Sequence, residues 1–200
     1  MTCIVGIVGD DGIVYLGGDS AGGNVDTYAI TDRKDPKVFN KGPYIIGYTS
    51  SFRMGQILMY NWKAPDHPVG MEDFEFMVSK FTESVRSCFK EFGYSTCENN
   101  KERAGDFIVG YRGQLYIVES DYQIAMTHDS FMSVGSGREL ATGAMHALEH
   151  LESKVKLTPQ EKLTIALSAP TKFSAYVRGP FVIVKTEPYT KEIQLLERTV

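Results

Sequence analysis

The sequence predicts an α+β protein, a four-layer αββα sandwich in which two antiparallel sheets pack face to face between helical layers. Two observations point there. Runs rich in β-branched residues come in pairs joined by short turns, as antiparallel hairpins require. Two pairs of helical segments interrupt them, so the order is strands, two helices, strands, two helices, strands. Helix pairs inserted between hairpins can each cover the outer face of one sheet.

The opening runs "TCIVGIVG" and "GIVYLGGDS" meet at "DDG", where Gly12 can take the positive φ of a tight turn. A second pair, "KVFN" and "PYIIGYTS", turns at "NKG". A helix is expected from Phe52 to about Trp62, ending before Pro65. From Met71 to about Phe92 the residues Phe74, Met77, Val78, Phe81, Val85, Cys88, Phe89 and Phe92 recur at steps of three and four, the period of a helix with one buried face. The polar stretch "STCENNKERAG" reads as a loop, and "DFIVGY" and "QLYIVES" as a hairpin turned at "RG", with "QIAMTHD" as a further strand. Two helices follow, about Arg138 to Lys154 and about Pro159 to Ala169, the second announced by Thr158 as cap and Pro159 in its first turn. The strands "SAYVRG", "FVIVKTE" and "EIQLLE" close the chain.

Composition narrows the function. The 200 residues suit one domain over 1–200, and with 42% hydrophobic residues, 23% charged residues and a net charge of -4 they carry no basic footprint for nucleic acid. Cys3, Cys88 and Cys97 are odd in number and lack zinc-like spacing, which fits a reducing compartment and a cytoplasmic location. Asp10 and Asp11 interrupt the first apolar run, so it reads as neither signal peptide nor membrane span. His146 and His150 lie one helical turn apart without an apparent third ligand and read as a solvated face, and "GSG" lacks the full dinucleotide fingerprint. No metal and no cofactor are expected.

The predicted layer order, with Thr2 at the head of the first strand, resembles the N-terminal-nucleophile (Ntn) hydrolases, and within them the proteasome β-subunit and HslV-type peptidases. Four stretches carry the resemblance over nearly the whole chain: "TCIVGIV" to "GIVYLGGDS", "PKVF" leading into "YIIGYTSS", "SVGSGRELATGAM", and the closing helix-to-strand segment.

The resemblance implies a chemistry. A terminal threonine supplies both a hydroxyl that attacks a carbonyl and an α-amine that takes the proton, directly or through a water. The amine's ordinary pKa of about 8 suits a general base. Thr2 becomes terminal once Met1 is removed, and a small second residue permits that removal. Asp19 and Lys37 match the family's carboxylate and lysine, which implies a Lys37 ammonium beside the Thr2 hydroxyl, oriented by Asp19. Ser136 matches a serine that supports the nucleophile's amine. The backbone N–H of Ser51, where the family usually has glycine, is the expected oxyanion donor. Thr49 and Arg53 fall where the family builds its first specificity pocket, and a solvated Arg53 is the alternative there. The family's late aspartate has no counterpart, because "APTKFSAYVRG" contains no acid.

The implied function is a threonine-type hydrolase of peptide bonds, assembled as a homo-oligomeric ring, with no membrane or nucleic-acid partner and with any ATPase partner left open. Two alternatives stand beside it: an Ntn amidohydrolase acting on a small amide, with Thr2 or Cys3 as nucleophile, and a catalytically silent ring-forming subunit.

Overall fold

The hairpins form where the turn chemistry permits them. A computed structural model describes residues 2–24, 26–151 and 154–189. Strand β1 (Ile4–Val8) pairs with β2 (Val14–Gly18), Ile4 facing Gly18 and Val8 facing Val14. A small hairpin follows, β3 (Ala21–Gly23) with β4 (Ile30–Asp32). Next come β5 (Val38–Lys41), β6 (Tyr44–Tyr48) and helix α1 (Phe52–Tyr60), the last capped by the Ser51 hydroxyl.

The long helical segment begins as α2 (Asp73–Phe76), widens into a π-helical turn over Met77–Phe81, and continues as α3 (Thr82–Glu91). Thr82 spends both its N–H and its hydroxyl on the Met77 carbonyl, which accommodates the extra residue of the wide turn. The stretch expected to be a loop holds a short hairpin instead, β7 (Thr96–Glu98) with β8 (Lys101–Arg103), turned by Asn99 and Asn100 at positive φ. Asparagine tolerates that conformation, so a polar run can pair without an apolar face.

Strands β9 (Phe107–Tyr111) and β10 (Gln114–Val118) are joined through Arg112 and Gly113, both at positive φ as a type I′ turn needs. The strand expected over "QIAMTHD" shrinks to β11 (Ile124–Ala125), and β12 (Phe131–Val134), which the sequence reading missed, supplies an edge of the first sheet. Helices α4 (Arg138–Leu151) and α5 (Pro159–Phe173) follow. Helix α5 runs past the expected stop because Pro170 falls in its last turn, where its ring packs against Gly137 and little helix remains to be broken. The segment "SAYVRG" is not a strand, and β13 (Val182–Lys185) is the final described one. The expected strand "EIQLLE" lies outside the described residues.

The two main sheets run β12-β1-β2-β13 and β11-β10-β9-β6-β5, with antiparallel pairing throughout. Side-chain alternation sorts their residues into three layers. Ile4, Val14, Leu16, Val38, Ile45, Ile108 and Leu115 meet between the sheets. Cys3, Val5, Ile7 and Tyr15 face α4 and α5, while Tyr44, Ile46, Tyr48, Phe107 and Val109 face α1 and α3. Each sheet is therefore buried on both faces, which is why its strands read as nearly continuous apolar runs. At one end the sheets approach closely, since a Cβ on Gly18 would stand 2.9 Å from Ile4 Cδ1 and 3.1 Å from Val38 Cγ1. Among the described residues no helix is long and apolar enough to cross a membrane.

Leu16 is fully buried between the sheets. Leu16→Ala is expected to cost about 2–5 kcal/mol, read as a lower urea midpoint with an unchanged slope.

Candidate active site

The close-approach end of the sandwich gathers most of the residues singled out from sequence. Thr2 and Cys3 run into β1, and Asp19 leaves β2 directly opposite them. The Asp19 N–H donates to the Cys3 carbonyl at 3.3 Å, and the Cys3 N–H donates to Asp19 Oδ1 at 2.9 Å. Asp19 Oδ2 accepts from the Ala21 N–H at 3.1 Å.

Lys37 belongs to the other sheet, immediately before β5, and its carbonyl accepts from the Tyr48 N–H at 3.0 Å. Its side chain crosses to Asp19, with Nζ 2.9 Å from Oδ1 and 3.0 Å from Oδ2. Both side chains are essentially excluded from water, at 1% and 0% exposure. Burial pushes the Lys37 amine below the ordinary lysine range, and the charge and hydrogen bonds of Asp19 oppose that fall.

The "GSG" stretch closes the site from the β12–α4 junction. Thr2 N–H donates to Ser136 Oγ at 3.2 Å, and the Thr2 carbonyl accepts from the Gly137 N–H at 3.2 Å and from the Ser136 hydroxyl at 3.4 Å. Gly135 takes φ +93, and a Cβ there would collide with the Thr2 carbonyl oxygen. Behind Asp19, the Ser20 N–H donates to the Arg178 carbonyl at 3.0 Å and its hydroxyl to the Pro180 carbonyl at 2.6 Å. The acid-free closing segment is thus what buttresses the Asp19 turn.

Not every expected contact is made. Among the described residues no hydrogen bond joins Lys37 Nζ to Thr2 Oγ1. The Ser51 N–H donates to the Thr49 carbonyl at 2.6 Å, and the Ser51 hydroxyl caps α1. Thr49 is buried, with its hydroxyl on the Asp106 carbonyl at 2.8 Å. Arg53 is exposed in the first turn of α1, in no ion pair with the described residues. Cys3 is fully buried against α4 and α5, and burial pushes its thiol up to about 12, with the Asp19 charge adding to the rise and Lys37 opposing it.

Sequence reasoning missed the flank of Lys37. Phe52, the first residue of α1, lies 3.8 Å below the Arg33 guanidinium and has Lys37 Nζ 5.7 Å from its ring centre. Arg33 is held by Asp35 through Nε to Oδ1 at 2.9 Å and Nη2 to Oδ2 at 2.6 Å. Only "RKD" in the sequence hinted at a local pair, and nothing there tied it to Phe52.

A cavity of about 570 Å³ lies at the other end of the sandwich, lined by Tyr44, His67, Tyr111 and Arg112 among others, and none of Thr2, Asp19 or Lys37 borders it. The candidate cluster therefore does not border this cavity, and hydrogen bonds across a close-packed sheet end are the stronger guide to it. The His146 and His150 rings lie 4.4 Å apart and tilted by 58° on α4, and among the described residues no group of three metal-binding side chains forms.

Solved structures share this architecture. Thiobacillus denitrificans BPH in complex with epoxomicin superposes with a TM-score of 0.75 at 16% identity, over 94% of this chain and 100% of that one. Eukaryotic HslV from Trypanosoma brucei gives 0.63 at 16%, over 93% and 99% of the two chains. The chain has the HslV fold. Anbu from Hyphomicrobium sp. strain MC1, a Gly-1 mutant, gives 0.60 at 14%, over 94% and 82%. No protein-family model matches the sequence, and no curated protein matches it. The four-layer αββα sandwich of two antiparallel sheets expected from sequence is the architecture found.

Gly135→Ala is expected to destabilise the protein by about 1 kcal/mol or more, because its φ and its clash fall on the Thr2 backbone. Gly143→Ala, exposed in α4 with nothing within 4 Å, is expected to stabilise by about 0.5–1 kcal/mol. Paired denaturation curves check the opposite signs.

Proposed function

We propose that the chain is a threonine-type Ntn hydrolase that cleaves amide bonds in peptides, with Thr2 as nucleophile once Met1 is removed. The observation that carries this reading is the convergence on the Thr2 main chain. Ser136 binds its nitrogen, Gly137 its carbonyl, and Asp19 binds the next N–H while holding Lys37.

In the proposed reaction the Thr2 α-amine takes the hydroxyl proton, directly or through a water, as Oγ1 bonds to the substrate carbonyl carbon. The proton passes to the departing amine as the C–N bond breaks, leaving an ester on Thr2. Water then attacks that ester, its proton returns to the hydroxyl, and the acid is released. Lys37 acts through its charge rather than through a bond to Oγ1, favouring the developing alkoxide and keeping the amine neutral. Ser136 Oγ is placed to accept an N–H of the free amine and orient its lone pair. Service as an oxyanion donor requires the Ser51 N–H to exchange its Thr49 partner, and catalytic hydrogen bonds do tighten on substrate binding.

Burial of the Cys3 thiol disfavours the cysteine-nucleophile alternative. The silent-subunit reading draws support from the committed Ser51 N–H and from the acid-free closing segment. Thr2→Ala separates them, with an expected loss of fluorogenic-peptide hydrolysis of at least about 10³-fold in protein shown by intact mass to lack Met1. Wild-type rates in Thr2→Ala would end the threonine mechanism, and an inactive, correctly processed wild type would favour the silent subunit.

The rate is expected to follow a bell in pH. It rises as the amine, near or below its ordinary value of about 8, loses its proton. It falls as Lys37 is neutralised, and because burial lowers the Lys37 amine, that limb lies below the ordinary lysine value of about 10.4. A profile flat from pH 5 to 10 with chemistry rate-limiting would exclude the amine as base.

As a peptidase of the HslV fold the protein is also proposed to form a symmetric homo-oligomer. Light scattering after gel filtration is expected to give an integral multiple of the 22.3 kDa chain mass, and a monomer at micromolar concentration would overturn the ring proposal.

A further inference from the structure

Beside the Lys37–Asp19 pair, the connection from β4 to β5 carries an arrangement more constrained than a surface ion pair demands. The Arg33 N–H donates to the Ser20 carbonyl at 2.9 Å, extending the β3–β4 ladder to the residue next to Asp19. Its side-chain stem crosses Gly22, where a Cβ would stand 2.8 Å from Arg33 Cδ. Its guanidinium is forked onto Asp35 and sits over the Phe52 ring, and Lys37 Nζ also lies near that ring. Backbone, stem and head are each fixed by a different partner.

We propose that Arg33 and Asp35 form an opposed charge pair that, with Phe52 as its platform, positions and tunes Lys37 at the Thr2 site. This rests on the hydrolase reading for its consequence in catalysis, but not for its effect on Lys37 itself.

The geometry gives the two charges opposite jobs. Arg33 is a like charge to the Lys37 ammonium and weakens its hold on a proton, while Asp35 is an opposite charge and strengthens it. The fork to Arg33 holds the Asp35 carboxyl below the usual carboxylate range, so Asp35 stays ionised through the working pH range. Phe52 contributes an apolar ring that adds no charge of its own and keeps the guanidinium in place by a cation–π contact. Among the described residues, the other titratable groups acting on Lys37 include the Asp19 carboxylate after β2 and the Cys3 thiol before β1, with the Tyr48 hydroxyl of β6 close to Arg33 and Asp35. Burial already draws the Lys37 amine down against the hold of Asp19, so a nearby pair of opposed charges can shift that balance in either direction. The Arg33–Asp35 pair, half open to solvent at 33% and 42% side-chain exposure, lets a substrate charge reach Lys37 by drawing either partner away.

The test compares pH profiles of kcat/KM for wild type, Arg33→Gln, Asp35→Asn and Arg33→Lys, with 13Cε-lysine NMR titration of Lys37 in the same proteins. Arg33→Gln is expected to move the alkaline limb and the Lys37 titration to higher pH, and Asp35→Asn to move both to lower pH. Arg33→Lys, which keeps the charge but not the forked guanidinium over Phe52, is expected to hold the limb in place while lowering kcat. Unchanged limbs, or limbs moving the same way in Arg33→Gln and Asp35→Asn, would overturn the proposal, since mere loosening of the fold has no reason to act with opposite signs. Should Thr2→Ala retain full activity, the hydrolase reading fails by itself, and the opposite NMR shifts still decide whether Arg33 and Asp35 tune Lys37.

Discussion

A buried ion pair between two sheets organises this protein. Lys37 leaves one sheet, Asp19 the other, and neither side chain meets water. Such a pair is costly to bury, and it persists only when the remaining lone pairs are satisfied. Here they are, because Asp19 accepts both contacts from Lys37 together with the N–H groups of Cys3 and Ala21. Loss of the lysine would strand a solvent-free carboxylate at a cost of about 3–5 kcal/mol. Stability and the proposed chemistry are therefore entangled at Lys37, whereas the Thr2 hydroxyl, bonded to none of the described residues, can be removed with little structural consequence.

The rest of the site depends on that anchor. Because Asp19 holds the Cys3 N–H, the chain entering β1 cannot slide along β2, and Thr2 is delivered to the "GSG" turn in one register. The turn in turn needs glycine at 135, where the Thr2 carbonyl fills the space of a side chain. The close approach of the sheets at Gly18 brings the β5 end near enough for a lysine to span the gap. Two small residues and one salt bridge thereby convert a general sandwich into a site at one of its ends.

Much of this was legible in the chain. The helix over 71–92 announced itself by period, α5 by its Thr158 cap, and the β9–β10 hairpin by "RG". Thr2, Asp19, Lys37 and Ser136 could be named only through the resemblance to Ntn hydrolases, whose motifs fall at these strand ends and turns. The misses share one cause. The strand β12 is four residues long and pairs with β1 more than a hundred residues away, β7 and β8 have no apolar face, and the stop at about Ala169 left out a last turn that packing of Pro170 on Gly137 secures.

Periodicity, β-branched runs, caps and turn glycines are local properties, so they were enough to predict the layers and their order, while the four candidate residues were named through the family resemblance that this order supports. Which groups touch was beyond their reach. That Lys37 bonds Asp19 and not Thr2 Oγ1, that the Ser51 N–H is spent on Thr49, that Cys3 faces the helices, and that Arg33 lies on Phe52 all depend on how the two sheets and α1 are set against one another. Distances between residues far apart in the chain are set by the packing of whole elements, and no local run of residues encodes them.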